Sequence, residues 1–508
     1  MANTHSLRKK SLKNLLWAAL GHIITIAIGL ILPRLFITGF GSETNGLINS
    51  AQQFLAYFSL FEAGIGAISL QAIYKPIAEG NHDQVSGTLS ATHVYYKRTG
   101  TLYLITLTVF SLVYPFLAHS SINYFIVAGV VFLTGIGNVV MFFFQGKYKI
   151  LLRADGKSYI ISNLTTITTV ITGLTKVLMI SMGFDVITVL AASFAISLIQ
   201  AVFIPLYIKK HYVWLNIKYK PDYQSISQKN YILIHQIAYI VFQNTDILIL
   251  TVICGLKVVS VYSLYKLVIT HLESILNIIS DSVEFALGQI FQVDRQRFIK
   301  RIDVFESLYS ALSFSMFSTI YCVFLPFMKI YTHGVTDINY IDFWLPVLFC
   351  TIAILTAMRK PMLMTINFAG HFKLTTPQTV AETIINLTVS LVSVWFLGIY
   401  GVLLGTVVAL LYRTTDVIIY SNRKILKRSC KKTLSIYAVC FVDTALIQAA
   451  FYLVSPTIDS IIKLIVAGII LIVVHLVLFL GSQILVFKDF RNTAHALLGK
   501  LLRRKIKA

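Results

Sequence analysis

Residues 373–428 read KLTTPQTVAETIINLTVSLVSVWFLGIYGVLLGTVVALLYRTTDVIIYSNRKILKR. Two apolar runs, 377–397 and 399–420, meet at Gly398. The basic residues stand at the far ends: Lys373 before the first run, and Arg413, Arg423, Lys424, Lys427 and Arg428 at the end of the second. A helix rises about 1.5 Å per residue, so about 20 apolar residues cross a bilayer's hydrocarbon core. The stretch therefore reads as a membrane hairpin with both ends on one side of the bilayer.

The same pattern extends over the whole chain of 508 residues, which is 56% hydrophobic with a mean hydropathy of +0.77. No ordinary soluble domain has that composition. Fourteen spans are expected, at 14–38, 46–72, 100–118, 123–145, 159–182, 185–208, 231–254, 258–280, 308–328, 342–366, 377–397, 399–420, 435–454 and 461–487. Of the 43 Lys and Arg residues, all but Arg34, Lys176, Lys257, Lys266, Lys329 and Lys463 fall at the N-terminus, in the even-numbered connections or in the tail. Lys147, Lys149, Arg153, Arg359 and Lys360 are counted among these connections. The positive-inside rule places both termini in the cytoplasm. The net charge of +22 is thus a topological signal first and an attraction for anionic lipid second, and nucleic acid is not expected as a partner.

The polar stretch Lys209–Asn230 divides the expected helices. Residues 1–220 form an N-terminal lobe of spans 1–6, 221–432 a C-terminal lobe of spans 7–12, and 433–508 an appended pair of spans with a basic tail. The stretch RADGKSYIISNLTTITTVI (153–171) resembles NFAGHFKLTTPQTVAETII (367–385). Each has a turn at Gly156 or Gly370 followed by a Ser/Thr-rich helix start. Such repeats place a substrate path at the interface of two halves. FGSETNG (40–46) reads as a tight external turn, and residues 74–98 as a cytoplasmic segment long enough for a surface helix. The tail 490–508 reads either as a basic amphipathic helix on the inner leaflet or as a frayed end.

No P-loop, HExxH, GxSxG or acidic metal cluster occurs, and the connections on the outer side are short. No catalytic residue, cofactor or metal is expected. Cys254, Cys322, Cys350, Cys430 and Cys440 are scattered and suggest no disulfide framework. No cleavable signal peptide is expected, since the first apolar run is too long and no small-residue cleavage site follows it before the second span.

PRLFITGFGSETNGLINSAQQFLAYFSLFEAGIGAISLQAIYKPIAEGNHDQVS (33–86) and residues 366–420 resemble bacterial polysaccharide repeat-unit flippases of the Wzx type. These belong to the multidrug/oligosaccharidyl-lipid/polysaccharide (MOP) exporter superfamily. The resemblance implies an all-α polytopic protein of the bacterial inner membrane, with two six-helix lobes around a central cavity and two extra helices. It implies flipping of an undecaprenyl-pyrophosphate-linked oligosaccharide to the outer leaflet by alternating access. It also implies work alongside a polysaccharide polymerase and chain-length proteins. A lipid II flippase or a multidrug exporter of the same superfamily is the alternative. A polymerase or ligase acting at the outer leaflet is the alternative of another class, opposed by the short external loops.

Ionisable groups inside the membrane are costly unless they are partnered or wet, so each is a candidate. Arg34, Lys176, Lys266 and Arg413 suit a pyrophosphate, since Arg presents a planar fork and Lys a point charge. Gln52, Gln243, Asn244 and Asn386 suit sugar hydroxyls, with Gln53 and Asn163 as further donors. The carboxylates Glu62, Asp246, Glu273 and Glu382 are candidates for coupling to H⁺ or Na⁺. Lys266 and Glu273 lie seven residues apart on one face. Arg413 and Asp416, one turn apart, read equally as a self-neutralising pair that locks helices, and Arg34 as an interfacial snorkeller. His22, His235, His271 and His475 suit hydrogen bonding better than proton relay. Phe142–Phe144 suit packing, and Gly64, Gly66, Gly401 and Gly405 suit close helix contact.

Overall fold

A computed structural model describes the backbone of residues 2–62, 64–224, 230–454 and 456–505. It describes side chains within 24–496 except at 63, 225–236, 238, 239 and 455. His22 and His235 therefore lie outside the described side chains. The described chain is α-helical with no strand. Eleven of its helices are long and apolar enough to cross a membrane.

Among the described residues the fourteen predicted segments fall in helices, the second being divided between two. α1 (Ala2–Phe58) holds the first and the first part of the second. α3 (His82–Ala118), α4 (Tyr124–Val140), α6 (Ser158–Ser181) and α7 (Val186–His211) carry the third to sixth. α8 (Asn230–Ile253), α9 (Leu256–Val293), α10 (Arg295–Tyr331) and α11 (Trp344–Phe368) carry the next four. α12 (Phe372–Leu397), α13 (Ile399–Tyr420), α14 (Lys431–Val454) and α15 (Ile461–Val486) complete the set. Among the described residues, α8 contributes only Ile240–Ile253 as an apolar stretch, and α9 is diluted by Lys266, His271 and Glu273.

Several boundaries differ from the sequence reading. The expected external turn FGSETNG is a kink inside α1, where only Gly41 (φ 83°, ψ 165°) leaves the helical region. Beyond it the helix restarts at Ser42. The backbone N–H and hydroxyl of Ser42 donate to the carboxylate of Asp337 at 2.9 and 2.6 Å. The second expected span is not continuous. It ends in a 3₁₀ turn at Ser59–Phe61, and Gly64 (φ 81°) starts the separate helix α2 (Ile65–Glu79). The expected surface helix over 74–98 is absent. A turn at Gly80–Asn81 splits that segment between α2 and α3, and Asn81 caps α3 through the Gln84 amide. α10 starts thirteen residues before the apolar run, at Arg295, capped by Asp294. α11 runs unbroken through Arg359, Lys360 and Pro361, as the expected span 342–366 has it, so the two basic residues counted with a connection lie within the helix. The tail forms α16 (Lys488–Lys505).

By compactness the chain forms two units. One comprises 1–263 with 335–338, the other 264–334 with 339–508. The polar stretch Lys209–Asn230 lies within the first. α8 and the start of α9 join that unit through a polar seam with the second half of α1. Asn45 donates to Ser260 (2.7 Å), Ser50 bonds Thr251 (2.5 Å) and Tyr57 bonds Thr245 (2.9 Å). Tyr114 of α3 donates to Ser50 (2.7 Å). Interhelical hydrogen bonds of this kind hold helices where lipid and core are equally apolar.

The internal repeat has a structural counterpart. α5 (Gly146–Ala154), which continues α4 after a π turn at Met141–Gln145, ends with the Lys157 amide bonded to Leu152 O. α11 ends with the His371 amide bonded to Ile366 O. Gly156 (φ 68°) and Gly370 (φ 67°) supply the left-handed residue at these two caps.

In the second unit α12 and α13 pack backbone to backbone. A Cβ on Gly405 would fall 2.1 Å from Ser390 Oγ and 2.7 Å from Ser390 N, and one on Gly401 would fall 2.4 Å from Ser393 O. These two glycines serve close contact, as expected from the sequence.

Candidate substrate and coupling sites

The first unit holds Arg34, Gln52, Glu62, Lys176, Gln243, Asn244 and Asp246; the second holds Lys266, Glu273, Glu382, Asn386 and Arg413.

Within the first unit, α1 and α6 pack together so closely that a Cβ on Gly173 would meet Ile28. This packing sets the Lys176 ammonium 5.6 Å from the centroid of the Phe36 ring, two residues beyond Arg34 on α1. A cation over an aromatic face is attracted by the ring quadrupole. Arg34 is half-buried, and its carbonyl accepts from the Thr38 hydroxyl (2.9 Å). Gln52 is exposed. Gln243 and Asn244 are half-buried, and Asn244 donates to Ile240 O of its own helix (2.7 Å). Asp246 is buried and accepts from Tyr262 (2.9 Å). Glu62 follows the 3₁₀ turn and accepts from the Tyr96 hydroxyl of α3 at 2.6 Å.

In the second unit a buried ionic network joins α11, α12 and α13. Arg359 Nη1 lies 2.5 Å from Glu382 Oε1, and Arg413 Nε lies 3.6 Å from Glu382 Oε2. Arg413 also reaches Asp416 Oδ2 (2.5 Å) and Thr379 Oγ1 (3.2 Å). Two cations face two carboxylates, so the network is neutral. This geometry favours the helix-locking reading of Arg413 over the phosphate-ligand reading. One turn beyond Glu382, Asn386 donates to Thr406 of α13 (2.9 Å). Lys266 and Glu273 are half-buried on α9.

A second network of the same unit escapes the sequence reading. Asp303 and Glu306 of α10 are buried, Glu306 completely. Asp303 pairs with Arg428 and with Lys432 Nζ (2.6 Å). Glu306 accepts from Thr433 (3.3 Å) and Tyr437 (3.0 Å) of α14. Lys432 also reaches Asp489 of α16 (2.8 Å). The signal was available: two acids one turn apart, directly before an apolar run, with only basic neighbours in RQRFIKRIDVFESLYS (295–310).

Among the described residues no group of three His, Cys, Asp or Glu is placed to hold a metal. At the first unit's polar end, Lys157 Nζ lies 2.7 Å from Asp155 Oδ2, and the Tyr212 hydroxyl donates to the same oxygen (2.6 Å). Burial acts to lower the Lys157 pKa, but the bonds to Asp155 and Tyr212 outweigh it and hold the ammonium above its usual value.

No family model matches the chain, and neither does any curated protein sequence. Solved structures do match. The lipid II flippase MurJ, in an inward closed conformation, superposes with a TM-score of 0.65 at 15% identity. The match covers 92% of this chain and 99% of that one. An inward-facing multidrug resistance MATE family transporter of the MOP superfamily gives 0.63 at 14% identity, over 81% and 99%. The Vibrio cholerae MATE transporter VcmN in its bent form gives 0.54 at 13%, over 85% and 99%. At such identities the likeness is one of fold, and the chain has the all-α, polytopic membrane fold of these MOP-superfamily transporters.

Proposed function

We propose that this protein is a membrane transporter that flips an undecaprenyl-pyrophosphate-linked oligosaccharide repeat unit from the inner to the outer leaflet by alternating access. It does so in the bacterial inner membrane, with both termini cytoplasmic. The observation that carries the reading is the extent of the fold match. The lipid II flippase structure accounts for 92% of this chain, whereas the MATE structures account for 81% and 85%. The cargo of that flippase is a lipid, and this chain resembles repeat-unit flippases in residues 33–86 and 366–420.

In this reading Arg34, Lys176 and Lys266 supply positive charge to the diphosphate, with Arg413 bound into its carboxylate network. Gln52, Gln243, Asn244 and Asn386 offer amide groups to the sugars. Glu62, Asp246, Glu273 and Glu382 are the carboxylates through which H⁺ or Na⁺ would act. No bond is broken in the cargo, and the sequence carries no P-loop for a nucleoside triphosphate. A polysaccharide polymerase and chain-length proteins are the expected partners.

Lipid II is the second reading, favoured by the first of the structural matches. Both readings are tested in vesicles of purified protein loaded with fluorescent lipid-linked repeat unit or with lipid II. Outer-leaflet appearance of the repeat unit, but not of lipid II, supports the first. The opposite preference overturns it, and movement of neither lipid overturns both.

A further inference from the structure

α5 begins directly after the π turn Met141–Gln145, a local break of the kind often found at functional sites. Its first residue, Gly146, packs close against the ring of Tyr96: a Cβ there would come 2.4 Å from Tyr96 Cε2. That close approach presses the next residue, Lys147, against α3. Lys147 is only 6% exposed, and its ammonium lies 2.9 Å from His93 Nδ1. Its own neighbour Tyr148 puts a ring centroid 4.9 Å away. Among the described residues no carboxylate comes within 4.0 Å of Lys147 Nζ. Glu62, which touches the same Tyr96, accepts from the tyrosine hydroxyl.

A buried ammonium needs a counter-charge, because a neutral imidazole replaces only part of its lost hydration. By accepting at Nδ1, His93 carries its proton on Nε2 and keeps that N–H as a second donor. His93 is half-buried, and Lys97 stands exposed one turn further along the same face of α3. Lys149, by contrast, turns to Gln200 (3.4 Å) and is not part of the group.

We propose that Lys147, His93 and Lys97 form a binding site for a phosphate ester. The non-bridging oxygens of a tetrahedral phosphate, two in a diester and more in a diphosphate, are splayed toward separated donors, which those of a planar carboxylate are less. The expected topology puts this end of the helices at the cytoplasmic leaflet, where phosphate headgroups lie. Two sources share that chemistry: a bulk anionic phospholipid, and a polyprenyl diphosphate. The site stands whether or not repeat units are the cargo.

The test uses the full-length protein in phosphatidylcholine nanodiscs. Binding of radiolabelled farnesyl diphosphate is measured, with farnesol as the control. Retention of added phosphatidylglycerol is measured by native mass spectrometry. Lys147→Gln is expected to weaken binding of at least one phosphate probe by tenfold or more, leaving farnesol unchanged, while Lys147→Arg keeps binding. Loss confined to farnesyl diphosphate identifies a carrier-lipid site; loss confined to phosphatidylglycerol identifies a site for bulk lipid. Unsubstituted protein that binds neither probe, or Lys147→Gln that binds both undiminished, overturns the proposal. Should Lys147→Gln fail to fold, the surface change Lys97→Gln decides: at least threefold weaker binding supports the site, and unchanged binding overturns it.

Discussion

Arg359 on α11 donates to Glu382 on α12 across 2.5 Å, and the other oxygen of that carboxylate faces Arg413 on α13 at 3.6 Å. One acidic side chain thus ties two arginines from two other helices. Removing one partner of a buried pair leaves a bare charge and typically costs about 3–5 kcal/mol. Arg359→Met is expected to lower the unfolding temperature of the detergent-purified protein sharply. Arg359→Met combined with Glu382→Leu should recover most of the loss. An unshifted unfolding temperature in the single variant would sink the argument.

Gly405 allows α12 and α13 to touch. Gly405→Ala is expected to destabilise by about 1–3 kcal/mol through overpacking. Trimming the opposing hydroxyl with Ser390→Ala should not rescue it, because the Ser390 backbone nitrogen stands 2.7 Å from the new Cβ. Full rescue in the double variant would show that side chains alone set the contact.

Lys432 beside Asp489 lowers that carboxyl's pKa below its ordinary range, outweighing a smaller opposing effect of burial. A depressed folded value means that the pair stabilises above the unfolded pKa, about 3.9, and is lost as pH falls through the lower folded value. Amide exchange in α16 should therefore quicken below about pH 4 in the natural protein. In Asp489→Asn it should already be fast at neutral pH. Identical exchange in the two proteins at pH 7 would remove Asp489 as the fastening of that helix.

Reporter fusions after Phe40, Ser120 and Thr336 are expected to read outside, and those after Asp222 and Lys427 inside. An inside signal at Thr336 would break the topology from the ninth span onward.

The Tyr96–Glu62 hydrogen bond gives the coupling proposal a second handle. If Glu62 senses the ion, Tyr96→Phe should change the response of flipping to an imposed pH or sodium gradient in the same direction as Glu62→Gln. Glu273→Gln should weaken the response as well. Full gradient response in all three would make these groups structural.

What the sequence discloses follows from the length scale of each signal. Apolar runs of about 20 residues are long, so the expected spans fall in helices, all but the second without a break. The repeated turn is legible because Gly156 and Gly370 answer the same backbone demand at φ 68° and 67°. Arg359 was hidden because its charge counted it with a connection, although the expected tenth span, 342–366, contains it. In a bundle, neighbouring groups satisfy the backbone that proline frees, and α11 runs on through Pro361. Asp303 and Glu306 were hidden because hydropathy sees only the apolar part of α10. The seam of Asn45, Ser50 and Tyr57 with α8 and α9 was invisible, since periodicity gives a face but not its partner.

The carboxylate that caps the restarted helix at Ser42 lies 295 residues further along the chain. At about 5–20 residues per second, a ribosome needs roughly 15–60 s to cover that distance. During that interval the first hairpin sits in the translocon's surroundings with its kink at Gly41 uncapped. The amide and hydroxyl of Ser42 must meanwhile be served by water or by lipid headgroups. The kink inside α1 is therefore one of the last places in its unit to become final, although it is among the first to be made.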